Sequence, residues 1–153
     1  MTKLKVSTEV PTEIHMTRVF DAPKRLVIKA MTTPELVKRW MGGKRAIVTS
    51  TEHDLRPGGR YRNAFKTHDG FEFAFVGTYH EVTDDRLVFE EQFEGQPGGS
   101  QITTTFTEVA GKTTMTMVMK FPTQELRDMV LKTGMTEGAG ESYDELEKLL
   151  HQL

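Results

Sequence analysis

Two pairs of carboxylates and five scattered histidines are the side chains whose spacing could support proton transfer or metal binding in this chain. Glu90 and Glu91 are neighbours in a strand-like stretch, so they point to opposite faces and one of them must face inward. Glu137 and Glu141 lie one helical turn apart and flank the apolar stripe of their segment, which favours a surface role. A carboxyl held at an apolar rim would have a raised pKa and could serve as a general base. His15, His53, His68, His80 and His151 have no His-x-x-x-His or His-Glu-x-x-His spacing, so no metal is expected. A meeting of His53 with His80 across strands is outweighed by ordinary surface placement. The chain has no Gly-x-Ser-x-Gly elbow and no cysteine, which removes a serine-type elbow, thiolate nucleophiles, disulfides and thiolate metal sites together. No catalytic residue is assigned and no cofactor is expected. Arg18 shares a face with Ile14, Met16 and Phe20; a buried arginine needs a partner, and a carboxylate is expected there before a ligand anion.

These side chains must be positioned by a sheet and a few helices. Alternation over 13–20 predicts a first strand, stopped by Asp21-Ala22-Pro23. Pro23 suits a first helical turn, and Leu26, Val27, Ala30 and Met31 make a short amphipathic helix. Thr33-Pro34-Glu35 starts a second helix, with Thr33 as N-cap, and Gly42-Gly43 ends it. From Arg45 to Lys120 the period is two, over roughly 45–53, 60–66, 71–81, 86–93, 100–109 and 113–121. The short turns between them, Pro57-Gly58-Gly59 among them, make an antiparallel meander. That Pro-Gly-Gly corner lacks the following Lys-Ser/Thr and the helix of a phosphate loop. After Phe121-Pro122 one helix of about thirty residues is expected, capped near Thr123, with Leu131, Met135, Gly138, Ser142, Leu146, Leu149 and Leu153 in one stripe.

The bulk numbers bound the rest. At 153 residues, with 37% hydrophobic and 27% charged, a single domain over 1–153 with a proper core is expected. A net charge of −2 without a basic block gives no nucleic-acid partner. No window approaches the roughly 20 apolar residues of a membrane span, so no membrane insertion is expected, and a cytoplasmic location is the default reading. Nine methionines and nine phenylalanines against one tryptophan suit irregular, adaptable apolar space, although simple core filling explains them as well.

In order along the chain, Arg18 through Pro23, Thr33-Pro34-Glu35-Leu36 with Arg39-Trp40, and Asp54 through Arg62 form a series of signatures. It continues through Asp69-Gly70, Phe75-Val76-Gly77-Thr78-Tyr79, Arg86-Leu87-Val88-Phe89 and Ser142 through Leu146. Together they resemble the Hsp90-ATPase-activator-homologue branch of the START-like (SRPBCC) superfamily. The resemblance implies an α+β helix-grip fold: a curved antiparallel sheet of six to seven strands around a long C-terminal helix, with two short helices after the first strand. It also implies an internal apolar cavity. Many relatives carry Gly-Trp on the last helix where this chain has Gly138-Ala139, which should leave room.

The expected ligand-binding residues are Trp40 at the mouth, Tyr61, Asn63, Phe65, Phe73, Phe75, Tyr79, Phe89, Met117 and Met119 on the sheet, and Met135, Gly138, Ala139 and Ser142 as the roof. The expected partner is a small hydrophobic or amphiphilic molecule, with a homodimer possible. Two rival functions stand beside binding: an enzyme of the cyclase or dehydratase type using the same cavity, and a protein-interaction module of the Hsp90 co-chaperone kind. A buried titratable group in the cavity would favour the first rival, and a filled core with an exposed apolar patch the second.

Overall fold

Eight strands and four helices make up the protein in a computed structural model that describes residues 2–153. A short β1 (Lys5–Ser7) precedes β2 (Glu13–Phe20), whose alternate residues Ile14, Met16, Arg18 and Phe20 are buried as the period-two pattern requires. Helices α1 (Lys24–Thr32) and α2 (Pro34–Trp40) follow, with Pro34 opening α2 and Thr33 at its N-cap position. Then come β3 (Ala46–His53), β4 (Arg60–Thr67), β5 (Glu72–Val82), β6 (Arg86–Phe93), β7 (Ser100–Val109) and β8 (Lys112–Lys120). All pair antiparallel in one sheet of order β1-β2-β8-β7-β6-β5-β4-β3. The meander is as the turns predict; β2 closes onto β8 after the helical excursion.

Two features differ from the sequence reading. The sheet has eight strands, because the N-terminal residues 5–7 pair with the outer edge of β2, Val6 opposite Met16. Three residues without apolar alternation give no strand signal of their own. The C-terminal segment is two helices, α3 (Gln124–Lys132) and α4 (Met135–Leu150), instead of one long one. Thr123 caps α3 by accepting from the Leu126 amide. The break lies at Gly134, whose φ of +80° is left-handed backbone that a helix cannot continue through.

Two apolar clusters form the core. One gathers Phe20, Val27, Trp40, Leu87, Phe106 and Met115 under the C-terminal half of α4, around Tyr143, Leu146 and Leu149. The other gathers Ile14, Met16, Ile102, Met117, Met119 and Phe121, with α3 and Met135 and Ala139 of α4 against it. Arg18 is buried between sheet and helix, and the carboxylate expected beside it is Asp144 of α4, 2.8 Å from Nη1.

Candidate functional site

One row of side chains crosses the concave face of the sheet. In register, His53 of β3 lies opposite Tyr61 of β4, Tyr61 opposite Gly77 of β5, and Gly77 opposite Glu91 of β6. A Cβ at Gly77 would stand 2.3 Å from Tyr61 Cε2 and 2.3 Å from the Glu90 carbonyl oxygen. Only glycine therefore lets the Tyr61 ring lie across β5, and the phenol thereby reaches β6, where it donates to Glu91 Oε2 at 2.6 Å. The adjacent residue on the same face, Tyr79, is held by the Pro-Gly-Gly corner, whose Gly58 amide donates to the Tyr79 carbonyl while the Tyr79 amide donates to that of Gly59.

A second chain of hydrogen bonds runs beside the first. Asn63 Oδ1 accepts from Thr51 Oγ1 at 2.7 Å and lies 3.0 Å from His53 Nε2. An amide oxygen only accepts, so Nε2 of His53 carries the proton and Nδ1 accepts from the Tyr79 hydroxyl at 2.7 Å. The His53 ring stacks on Tyr61 with centroids 5.5 Å apart, and Tyr61 and Tyr79 are 5.2 Å apart.

Burial sets the charges. His53 is held below its ordinary value by desolvation, against a smaller opposing effect of its bond to Asn63, and is neutral near pH 7. Tyr61 and Tyr79 are pushed well above the phenol range, by burial first and then by the Glu91 charge. The Glu91 carboxyl is raised by burial, although the bond from Tyr61 works the other way. Glu91 is half-buried, and its unbonded oxygen is not sealed from solvent. Oε2 takes the Tyr61 bond and Oε1 receives no donor. Among the described residues only Arg18 Nη2 and Thr104 Oγ1 are sealed without a hydrogen-bonding partner.

Next to this polar row stands an aromatic ladder. Phe65, Phe73, Phe75 and Phe93 touch ring to ring, with centroids 5.1 to 6.2 Å apart. Phe73, Phe75 and Phe93 join neither packed cluster. Phe73 and Phe75 are half-buried, Phe93 is 37% exposed and the neighbouring Phe71 is 60% exposed. Met135, Gly138 and Ala139 of α4 are likewise only half-buried. Three rings of the ladder are thus less buried than the side chains of the two packed clusters.

The sequence-predicted residues divide accordingly. Tyr61, Asn63, Tyr79 and Phe89 are brought together around His53 and Glu91, Phe89 edge-on to both tyrosines. Phe65, Phe73 and Phe75 form the ladder. Met117, Met119, Met135 and Ala139 meet in the second apolar cluster. Gly138 lies beside Arg45, whose Cδ would stand 3.9 Å from a Cβ added at that glycine. Ser142 is buried beside Gly43 of the loop after α2. Trp40 is not at a mouth: it is core, its indole N–H donating to the Ala30 carbonyl at 2.9 Å and its ring stacked on Tyr143. Glu137 is exposed and Glu141 pairs with Arg45 at 2.8 Å, as a surface role demands. His53 meets Tyr79 and not His80, which faces Glu90 at 3.4 Å on the other side of the sheet.

Three participants, His53, Glu91 and Phe93, are absent from the ligand-binding set that the sequence predicts. Each has a signal. The turn at 54–59 closes a hairpin that sets His53 opposite Tyr61, and Glu91 and Phe93 share the parity of Phe89.

Two depressions of the surface lie away from these side chains. One, of ≈ 560 Å³, is on the outer face around Arg60, Thr78, Glu90, Gln92 and Lys120 and meets the row only at Gly77 and Glu91. The other, of ≈ 400 Å³, lies between β1 and α4 at Leu4, Val6 and Glu137. Neither is lined by the hydrogen-bonded tyrosines or by the rings of the ladder. No group of three or more His, Asp or Glu among the described residues is arranged to hold a metal ion, and no helix is long and apolar enough to cross a membrane.

The whole architecture recurs in solved proteins. A Rhodobacter sphaeroides protein superposes with a TM-score of 0.92 at 23% identity, covering 99% of this chain and 100% of its own. A Nitrosomonas europaea protein gives 0.85 at 26%, covering 94% and 97%, and a Mycobacterium smegmatis protein 0.84 at 27%, covering 97% of each. No protein of curated function matches significantly. Residues 21–151, from the end of β2 to the last turn of α4, match the family described as activator of Hsp90 ATPase homolog 1-like protein, and the chain belongs to that family.

Proposed function

We propose that the protein binds a small hydrophobic or amphiphilic molecule in the concave cleft between the sheet and α4, in the cytoplasm. The observation that carries this reading is the aromatic ladder: Phe73, Phe75 and Phe93 are left out of both packed clusters, on the same face as a row of buried, hydrogen-bonded polar groups. An apolar wall with a few fixed polar groups at one end is the usual make-up of a small-molecule site. On α4 the small residue turned toward the sheet is Ala139, which packs against both clusters.

The test uses a neutral apolar fluorophore, N-phenyl-1-naphthylamine, with the wild type and Ala139→Trp. The indole would occupy the volume the ligand is proposed to use between α4 and the sheet, so saturable 1:1 binding in the wild type should be lost in a variant that keeps its circular dichroism and melting transition. Absence of saturable binding to the wild type, or its survival in Ala139→Trp, contradicts the reading. A second reading, a module that docks on another protein, draws on the family and on the exposed rings of Phe71 and Phe93; it requires those rings and not the interior.

A further inference from the structure

Glu91 is a half-buried carboxyl with one hydrogen bond from the protein and no ion-pair partner within 4 Å among the described residues. Tyr61 of β4 supplies the bond, and Oε1 has no donor. The titratable groups facing it from each neighbouring element are all neutral near pH 7 or committed elsewhere. His53 of β3 is kept uncharged by burial and bonded to Asn63 and Tyr79. Tyr79 of β5 donates to His53. Tyr143 of α4 is pushed up by burial and then by the Glu91 charge, so it stays a phenol. Opposite Glu91 on β7 stands Ser100, which carries no charge. On β6 itself, Glu90 points to the other face and pairs with His80. Arg18, the buried cation of the interior, is paired with Asp144.

What surrounds the carboxyl is aromatic. Tyr61, Tyr79 and Phe89 lie within 5.2 to 5.9 Å of one another, and Phe75 meets Phe93, the next inward residue of β6, edge to face at 5.5 Å. Ring faces are electron-rich and attract cations, most strongly where water is excluded. A carboxylate partly withdrawn from water without a cation is less favourable than a solvated one, and the usual relief is to stay protonated or to acquire a positive partner.

We propose that the cleft selects ligands that carry a protonated amine on an apolar body, with Glu91 as the counter-ion and the surrounding rings as the cage. This deepens the binding function proposed above and rests on it. A neutral hydroxyl could also meet Oε1, but it would gain one ordinary hydrogen bond and no benefit from charge. The amine gains a charge-assisted one. Binding the amine also draws the proton off Glu91, so its affinity rises with pH until the amine itself loses its charge.

The test compares 4-phenylbutylamine with the isosteric 4-phenylbutan-1-ol by titration calorimetry near pH 6 and pH 8, in buffers of different ionisation enthalpy. The amine is expected to bind about tenfold more tightly than the alcohol at the higher pH. That preference should shrink at the lower pH, with proton release on amine binding and none on alcohol binding. Glu91→Gln should bind the two alike, while Tyr61→Phe, which keeps the carboxylate, should retain the preference. Equal affinities in the wild type, or a preference that survives in Glu91→Gln, overturns the inference and leaves the cleft as an apolar binding site. Binding of neither compound overturns both. The wild-type comparison and its proton release need no variant to fold.

Discussion

Gly77 carries more of the site than any polar residue in it, because the Tyr61 ring can cross β5 only where no side chain stands. Gly77→Ala would press a methyl against both the ring and the Glu90 carbonyl. We expect a loss of about 2–3 kcal/mol in urea denaturation, in the range of other overpacked cores. The fluorescence and ultraviolet titration of Tyr61 should at the same time report a phenol freed from Glu91. His53 and Glu91 act on stability in opposite directions. His53 has its folded pKa depressed, so its contribution is present above about 6.5, the unfolded value, and is lost as pH falls through the folded one. Glu91 has its folded pKa raised, so its contribution is present below the ordinary carboxylate range and is lost as pH rises through the folded value. The stability of Glu91→Gln relative to wild type should therefore improve between pH 5 and pH 8. That of His53→Gln should improve as pH falls from 7 to 5. Denaturant midpoints at several pH values check both, and opposite slopes would contradict the assignment of a buried neutral histidine beside a half-buried carboxyl.

The elements repeat the alternation of the sequence closely, and the exceptions have local causes. The six meander strands and both short helices were legible because period two and the Thr33-Pro34 start are written residue by residue. The break between α3 and α4 was not, because the apolar stripe from Leu131 to Leu149 continues in phase across it; only the backbone at Gly134 betrays the kink. Of the three glycines in this region, Gly134 is thus required by its conformation, whereas a Cβ at Gly138 or Gly140 would make only an ordinary contact, with Arg45 or Leu4 at 3.9 Å. Gly134→Ala should cost about 1–2 kcal/mol, and Gly138→Ala should gain about 0.5–1 kcal/mol from helix propensity. Melting temperatures of the two variants should move apart; equal shifts would mean that the kink is not set by Gly134. The candidate site was half legible. Tyr61, Asn63, Phe75 and Tyr79 follow from parity; Glu91 shares the parity of Phe89 and His53 is set by its hairpin, but polar residues on a strand look like solvent-facing ones until the partner strand is known. Trp40 fails for the opposite reason: a lone indole suggests a ligand platform, and here its N–H is already spent on Ala30.

At the scale of the whole molecule, two packed clusters hold α4 against the sheet at its C-terminal half and through α3, and the span between them is covered by half-buried small residues. Arg127 strengthens the α3 end, donating from Nη1 to the carbonyls of Thr8, Val10 and Glu13, and the Arg18–Asp144 pair strengthens the other. The molecule is therefore firm at both ends of the face that carries the aromatic ladder, and the binding proposed above would leave both packed clusters intact. Methionine methyl groups report on this directly. In a spectrum of 13C-methyl-methionine-labelled protein titrated with an apolar amine, Met135, at the start of α4, and Met117 of β8, which meet in the second apolar cluster, should shift saturably, while Met129, 58% exposed on α3, stays in place. Shifts at Met129 alone, or none at any methionine, would contradict a ligand site in the concave face.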